Sequence, residues 1–253
     1  MSDITTPGGR DSVAPQVDPA NDYVAVLSQQ ITLDPARTCF VIVDLQYATG
    51  SRHHGLGLLL AEQGKLEHAE YRFSRIEDVV LPNTKRLLDF CRDRGVRVVH
   101  LTYGSEVEDF SDLPLHVREV CRATRNRAGL REHEINDLVK PQGNERVFNK
   151  LGASGFNSTA LELVLRVYEV DTLLFAGVST NMCVESTVRD GADRGFRCVV
   201  VEDCCGGDAQ HTHDASITVM QRLYATVSSA DEVMGLLDPS AAGAPVAAAA
   251  ATA

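Results

Sequence analysis

The sequence predicts an α/β fold: three α/β/α layers around a mostly parallel central sheet of Rossmann-like topology. Three observations predict it. Short runs of β-branched and apolar residues recur without polar alternation (TCFVIV, VRVVHL, RCVVVE), the pattern of strands buried on both faces. Amphipathic segments of helical period separate these runs, and alternating strands and helices imply parallel pairing with helices on both sheet faces. With 253 residues and 44% hydrophobic side chains, the chain can bury one sizeable core.

Taken in order, residues 1–21 are rich in Pro, Gly, Asp, Ser and Thr and read as a mobile arm. Residues 22–239 read as one domain without linker or repeat, and the Ala-rich stretch 240–253 as a disordered tail. The first strand is expected over Cys39–Val43, ending at Asp44. A Gly-, His- and Leu-rich excursion follows from Tyr47 to Arg72. A helix from about Arg75 to Arg94 places Leu81, Leu87, Leu88 and Cys91 on one face, with Pro82 tolerable near its start. Gly95 ends it and Val96–Leu101 forms the second strand. A polar second excursion, Tyr103 to Gln142, leads to a short strand at Arg146–Asn149 running into Lys150. An amphipathic segment, Asn157–Tyr168, precedes a strand at Thr172–Ala176. After a Gly-containing turn come a helix with Cys183 in its first turn, a strand at Arg197–Glu202, a helix from about His213 to Leu223, and a last strand at Ala225–Ser228.

Composition narrows the function classes. The net charge of −11 speaks against nucleic-acid or anionic-membrane partners. No apolar run approaches the roughly 20 residues of a membrane helix, and the first residues lack the basic and apolar parts of a signal peptide. A cytoplasmic protein acting on small molecules is expected. Seven cysteines, an odd number, indicate reduced thiols. The adjacent Cys204 and Cys205 lack CxxC spacing and read as packing residues. His53, His54, His211 and His213 have no carboxylate at ligand spacing and read as loop and helix-surface residues.

Asp44, Lys150 and Cys183 each follow a different predicted strand. In a parallel sheet those ends share one edge, where open α/β sheets place their sites. An Asp beside a Cys can take the thiol proton, and a nearby Lys favours the charged forms of both. A helix N-terminus is expected to lower the thiol pKa further. The set therefore has the logic of nucleophile, base and orienting cation. Alone, each has a plainer role: Asp44 as a cap, Lys150 as a solvated lysine, Cys183 as a small buried residue.

Asp44 in VIVDLQ, Lys150 in FNKLGASGF and Cys183 in GVSTNMCVESTVRDGADRGFRCVVVED resemble the isochorismatase-like cysteine hydrolases over roughly residues 35–235. The resemblance implies that Cys183 attacks an amide or ureide carbonyl, that Asp44 shuttles the proton to leaving ammonia, and that Lys150 orients the thiolate. It implies a cis Val178–Ser179 peptide and an oxyanion hole made by the N–H groups of Ser179 and Cys183. Isochorismatases that cleave a vinyl ether need no cysteine, and nicotinamidases carry an Asp-x-His metal site that HLTYGSEVED lacks; no metal or organic cofactor is expected. The motif is most similar to the biuret, ureidoacrylate and N-carbamoylsarcosine amidohydrolases. Many relatives place Arg or Tyr shortly after the lysine, whereas this chain has Leu151, Gly152 and Ala153, which favours a small neutral substrate. Gln46, Tyr47, Tyr103, Asn181 and Gln221 are candidate substrate contacts, and a homodimer or homotetramer is implied. The alternatives are a nicotinamidase-type amidase of the same fold and a non-catalytic binding member.

Overall fold

The computed structural model describes residues 31–238, so the expected arm and tail lie outside the described residues. Six strands form one sheet: β1 (Thr38–Val43), β2 (Arg97–Tyr103), β3 (Arg146–Lys150), β4 (Thr172–Val178), β5 (Arg197–Gly206) and β6 (Thr226–Ser228). All neighbouring pairs are parallel, in the order β3-β2-β1-β4-β5-β6. The chain moves outward from β1 to β3, returns beside β1 as β4, and moves outward again. The order reverses between β1 and β4, which opens a crevice at the C-terminal ends of those strands.

The unbroken apolar runs have the expected physical outcome. Odd and even residues of β1 and β4 enter two separate cores. Phe40, Ile42, Leu174 and Ala176 pack against Leu87, Leu88 and Cys91 of α4 (Leu81–Asp93) and Val233 of α9 (Ala230–Leu237). On the opposite face, Cys39, Val41, Leu173 and Phe175 meet Leu161 and Leu165 of α6 (Leu161–Val167), Val188 of α7 (Glu185–Asp193), and Ile217 and Met220 of α8 (Gln210–Leu223). This is the three-layer arrangement. Among the described residues, no helix is long and apolar enough to cross a membrane.

Several boundaries differ from expectation. The first excursion contains α1 (Tyr47–Gly50), α2 (Gly55–Glu62) and α3 (Glu70–Arg75). From α3 the helix runs through a π turn, Ile76–Val80, into α4. Pro82 in the first turn of α4 offers no N–H, so a regular α ladder is interrupted there, and the wider turn precedes it. The second excursion carries α5 (Leu115–Ala123) and docks on the first, Tyr47 N–H donating to Glu134 O (3.0 Å) and Asn136 N–H to Leu45 O (2.8 Å). α9 was not among the expected elements; it opens on a capping box, in which Ser229 Oγ accepts from Glu232 N–H (3.3 Å) and Glu232 Oε2 from Ser229 N–H (2.8 Å). Cys204 and Cys205 are buried in β5. His213 is corrected from a surface residue to a buried one, bonded to Thr180 Oγ1 (2.8 Å) and Glu202 Oε1 (2.8 Å).

At the crossing point, Gly177 pairs with Val43 at φ +126°, and a Cβ there would lie 1.9 Å from Val43 O. Gly95 also has positive φ (+71°) but faces open space. We expect Gly95→Ala to cost about 1–2 kcal/mol, the left-handed penalty alone. Gly177→Ala should cost well above that or abolish folding. Urea denaturation of both variants checks the contrast; equal losses would contradict it.

Candidate active site

Each of the three strand-end residues is placed by its strand. Asp44 follows β1 and is buried, its N–H still bonded to Leu101 O (2.9 Å) in the β1–β2 ladder. Its φ of +52° is uncommon for a residue other than glycine, and Asp is among those that tolerate it. Lys150 ends β3, fully buried, in register with Tyr103 of β2. Because β2 lies between β3 and β1, the lysine must reach across the end of β2. It does so over the Tyr103 ring, with Nζ 5.0 Å from the ring centroid and 2.8 Å from Asp44 Oδ2. Nζ also donates to Gly152 O (3.1 Å).

Cys183 lies on a π turn, Thr180–Val184, between β4 and α7, near enough to Asp44 and Lys150 that both act on the titration of its thiol. The structure therefore brings all three residues together, with Asp44 and Lys150 in direct contact. The Val178–Ser179 peptide is cis. Ser179 O accepts the N–H groups of Met182 (3.0 Å) and Val184 (3.3 Å), on either side of Cys183. Backbone N–H groups at such a helix start are the ones left without intrahelical acceptors.

The electrostatics correct one expectation. Burial, joined by the neighbouring Asp44 charge, pushes the Cys183 thiol up to about 12, against the opposing pull of Lys150. A lowered thiol pKa was expected from the helix start and the lysine, but desolvation outweighs both. Burial also raises Asp44, although Lys150 opposes it. Burial alone would lower Lys150, but Asp44 and Cys183 outweigh it, so its pKa is raised. Burial thus holds the proton on Cys183 and raises the basicity of Asp44, beside an ammonium whose neighbours favour its charged form. That arrangement suits proton transfer at the moment of attack rather than a standing thiolate.

Residues 38–232 match the isochorismatase domain. The chain belongs to the isochorismatase family. It is 26% identical over 231 residues to the ureidoacrylate amidohydrolase RutB of Agrobacterium fabrum, covering 84% of this chain and 95% of that protein. It is 31% identical over 148 residues to the maleamate amidohydrolase of Pseudomonas putida, covering 58% of this chain and 70% of that protein. The crystal structure of an isochorismatase family protein from Desulfovibrio vulgaris superposes with a TM-score of 0.67 at 23% identity, covering 79% of this chain and 98% of that one.

Within this isochorismatase fold, the candidate substrate contacts separate into groups. The Gln46 amide is already engaged: its Nε2 donates to His133 O (2.7 Å), and its Oε1 accepts from Tyr103 N–H (2.9 Å). It ties the ends of β1 and β2 to the second excursion. Tyr47 bonds Asp137 Oδ2 (3.0 Å) and stacks under Arg131 (4.0 Å), closing the two excursions on each other. Tyr103 underlies Lys150 and is buried, which raises its phenol pKa. Asn181 Oδ1 is buried without a hydrogen-bond partner. Gln221 is half-buried on α8 beside Met220, and among the described residues no hydrogen bond links it to the three.

Sequence reasoning missed Arg72, Thr49, Asn126 and His133. Arg72 is buried at 5% exposure and donates to Ser179 Oγ. Asn126 and His133 crowd against Gly104, where a Cβ would meet His133 Nδ1 at 2.6 Å. Gly104 was the one available signal, and it did not reveal the partners. Among the described residues, no group of three or more His, Cys, Asp or Glu is placed to hold a metal. A cleft of about 590 Å³ opens beside the site, lined by His116, Gly152, Ser154, Ser186 and Arg189 among others; the three residues do not reach its wall.

Because the Asp44 charge helps to hold the proton on Cys183, Asp44→Asn should lower the thiol pKa. Alkylation of Cys183 by iodoacetamide, followed by mass spectrometry, should then be faster in the variant at pH 7–8. In the parent protein the rate should keep rising with pH without a plateau below about pH 10, given a thiol pushed up to about 12. A plateau near pH 7 would overturn this assignment.

Proposed function

We propose that this isochorismatase-family hydrolase is a cysteine amidohydrolase that cleaves a C–N bond of a small carbamoyl or ureido compound. A biuret-like substrate is the first choice, with ureidoacrylate or an N-carbamoyl amino acid next. The observation that carries this reading is the placement of Cys183 beside a buried Asp44–Lys150 ion pair whose charges act on its thiol. The relatives named as amidohydrolases of ureidoacrylate and maleamate support the bond class.

The reaction follows from the protonation states. As the carbonyl carbon meets Sγ, the thiol proton passes to Asp44 and a C–S bond forms. The carbonyl oxygen becomes an oxyanion held by the N–H groups of Ser179 and Cys183. Asp44 returns the proton to nitrogen, the C–N bond breaks, and ammonia leaves a thioester on Cys183. Water then attacks with Asp44 as base, and the C–S bond breaks to release the acid and restore the thiol. Lys150 stays charged throughout and stabilises Asp44 whenever it is ionised. The unpartnered Asn181 Oδ1 supplies an acceptor for a ureide N–H, since a buried acceptor without a donor costs about 1–3 kcal/mol.

An ammonia-release panel of biuret, ureidoacrylate, N-carbamoyl amino acids, maleamate and nicotinamide tests the substrate class, with preference for a carbamoyl or ureido compound expected. Turnover of nicotinamide alone would redirect the reading to a simple amidase. Cys183→Ser should keep the fold, by circular dichroism, and lose about 10³-fold or more of kcat; near-normal turnover would refute the thioester. The reaction needs Asp44 ionised, and burial raises its pKa. Activity should therefore fall as pH drops through a value above the ordinary carboxylate of about 3.9. An acid limb of kcat/KM at or below pH 4 would contradict Asp44 as the base.

A further inference from the structure

We propose that Arg72 is the positioning residue of the oxyanion hole, holding Ser179 in place before substrate arrives. The proposal rests on the assignment of the Ser179 N–H to that hole.

A buried arginine requires partners, and Arg72 has three from three different segments. Its Nε donates to Thr49 O (2.8 Å) in α1, and its Nη1 donates to Ser179 Oγ (2.8 Å) and to Asp208 Oδ1 (2.6 Å) beyond β5. The guanidinium is planar, so anchoring Nε on Thr49 sets the direction in which Nη1 meets Ser179. Asp208, at 48% side-chain exposure, balances the charge without burying a second ion fully.

The same helix holds the next residue of the turn by a second route. Arg75, one turn further along α3, donates to Glu202 Oε1 (2.6 Å), and Glu202 meets His213, which meets Thr180 Oγ1. Ser216 adds a bond to Thr180 O (3.2 Å). Ser179 and Thr180 are thus gripped through their side chains from α3, while the Ser179 carbonyl organises the N–H groups around Cys183. Of the two arms only that of Arg72 reaches the Ser179 side chain, and neither is hydrogen-bonded to the thiol, Asp44 or Lys150. Arg72 should therefore act on the developing oxyanion and not on the nucleophile.

An oxyanion donor is worth about 10²–10³-fold in kcat when it is preorganised. Loss of its positioning should cost part of that. For Arg72→Gln we expect kcat lower by about 10–100-fold with KM within about threefold. Cys183 alkylation by iodoacetamide should be unchanged, because that reaction needs no oxyanion hole. Ser179→Ala, which removes the acceptor and leaves Arg72, should show the same split and serves if Arg72→Gln does not fold. A second arm needs no turnover. Acetaldehyde adds reversibly to Cys183, the S–C bond forming as the C=O π bond opens and the thiol proton ends on oxygen. Acetaldehyde should protect Cys183 from alkylation at about 10–100-fold lower concentration in the parent than in Arg72→Gln. Equal protection, or alkylation falling in step with kcat, would overturn the proposal. If the parent turns over none of the amides yet the protection differs, the positioning role stands and the substrate reading fails.

Discussion

The ion pair between Asp44 and Lys150, buried with a 2.8 Å contact, is the constraint on which the rest of the site depends. Removing two ions from water costs several kcal/mol each, and such a pair is weak evidence of stabilisation. Its value here is chemical. The burial that makes the pair costly also raises the basicity of Asp44 and keeps the proton on Cys183. Lys150 opposes that rise in Asp44. One environment thus acts on both side chains in the direction that the proposed proton transfer from Cys183 to Asp44 needs.

The backbone makes that environment possible. Asp44 and Ser179 stand at the ends of β1 and β4, the two strands flanking the point where the sheet order reverses. There Val43 and Gly177 pair so closely that no side chain fits at the glycine. The left-handed Asp44 follows on one side and the turn carrying Cys183 on the other. Lys150 comes from two strands away, and the tyrosine ring of the intervening strand supports it. The polar clamps made by Gln46, Arg72 and Arg75 lie around this centre and tie the excursions to it.

The strands were legible because continuous apolar runs have one low-energy outcome in a parallel sheet, and their ends located Asp44, Lys150 and Cys183. The capping box of α9 was equally local and could have been read. Arg72 offered no local signal, since its partners at 49, 179 and 208 are far apart in sequence. His213 looked like a helix-surface residue because nothing local shows that α8 turns it toward Thr180 and Glu202. The thiol pKa was misjudged for a related reason. A helix start and a neighbouring lysine can be inferred from sequence, whereas desolvation depends on everything packed around the sulfur.

By itself, then, the sequence determined the layered architecture and the family, and it placed three candidate side chains at strand ends on one sheet edge, because periodicity and strand ends are local properties. Tertiary structure alone decided the protonation state of Cys183, the engagement of Gln46 and Tyr47 with protein groups, and the grip of Arg72 on Ser179. Each of these depends on burial or on partners brought together from distant parts of the chain, and neither is written in any short stretch of residues.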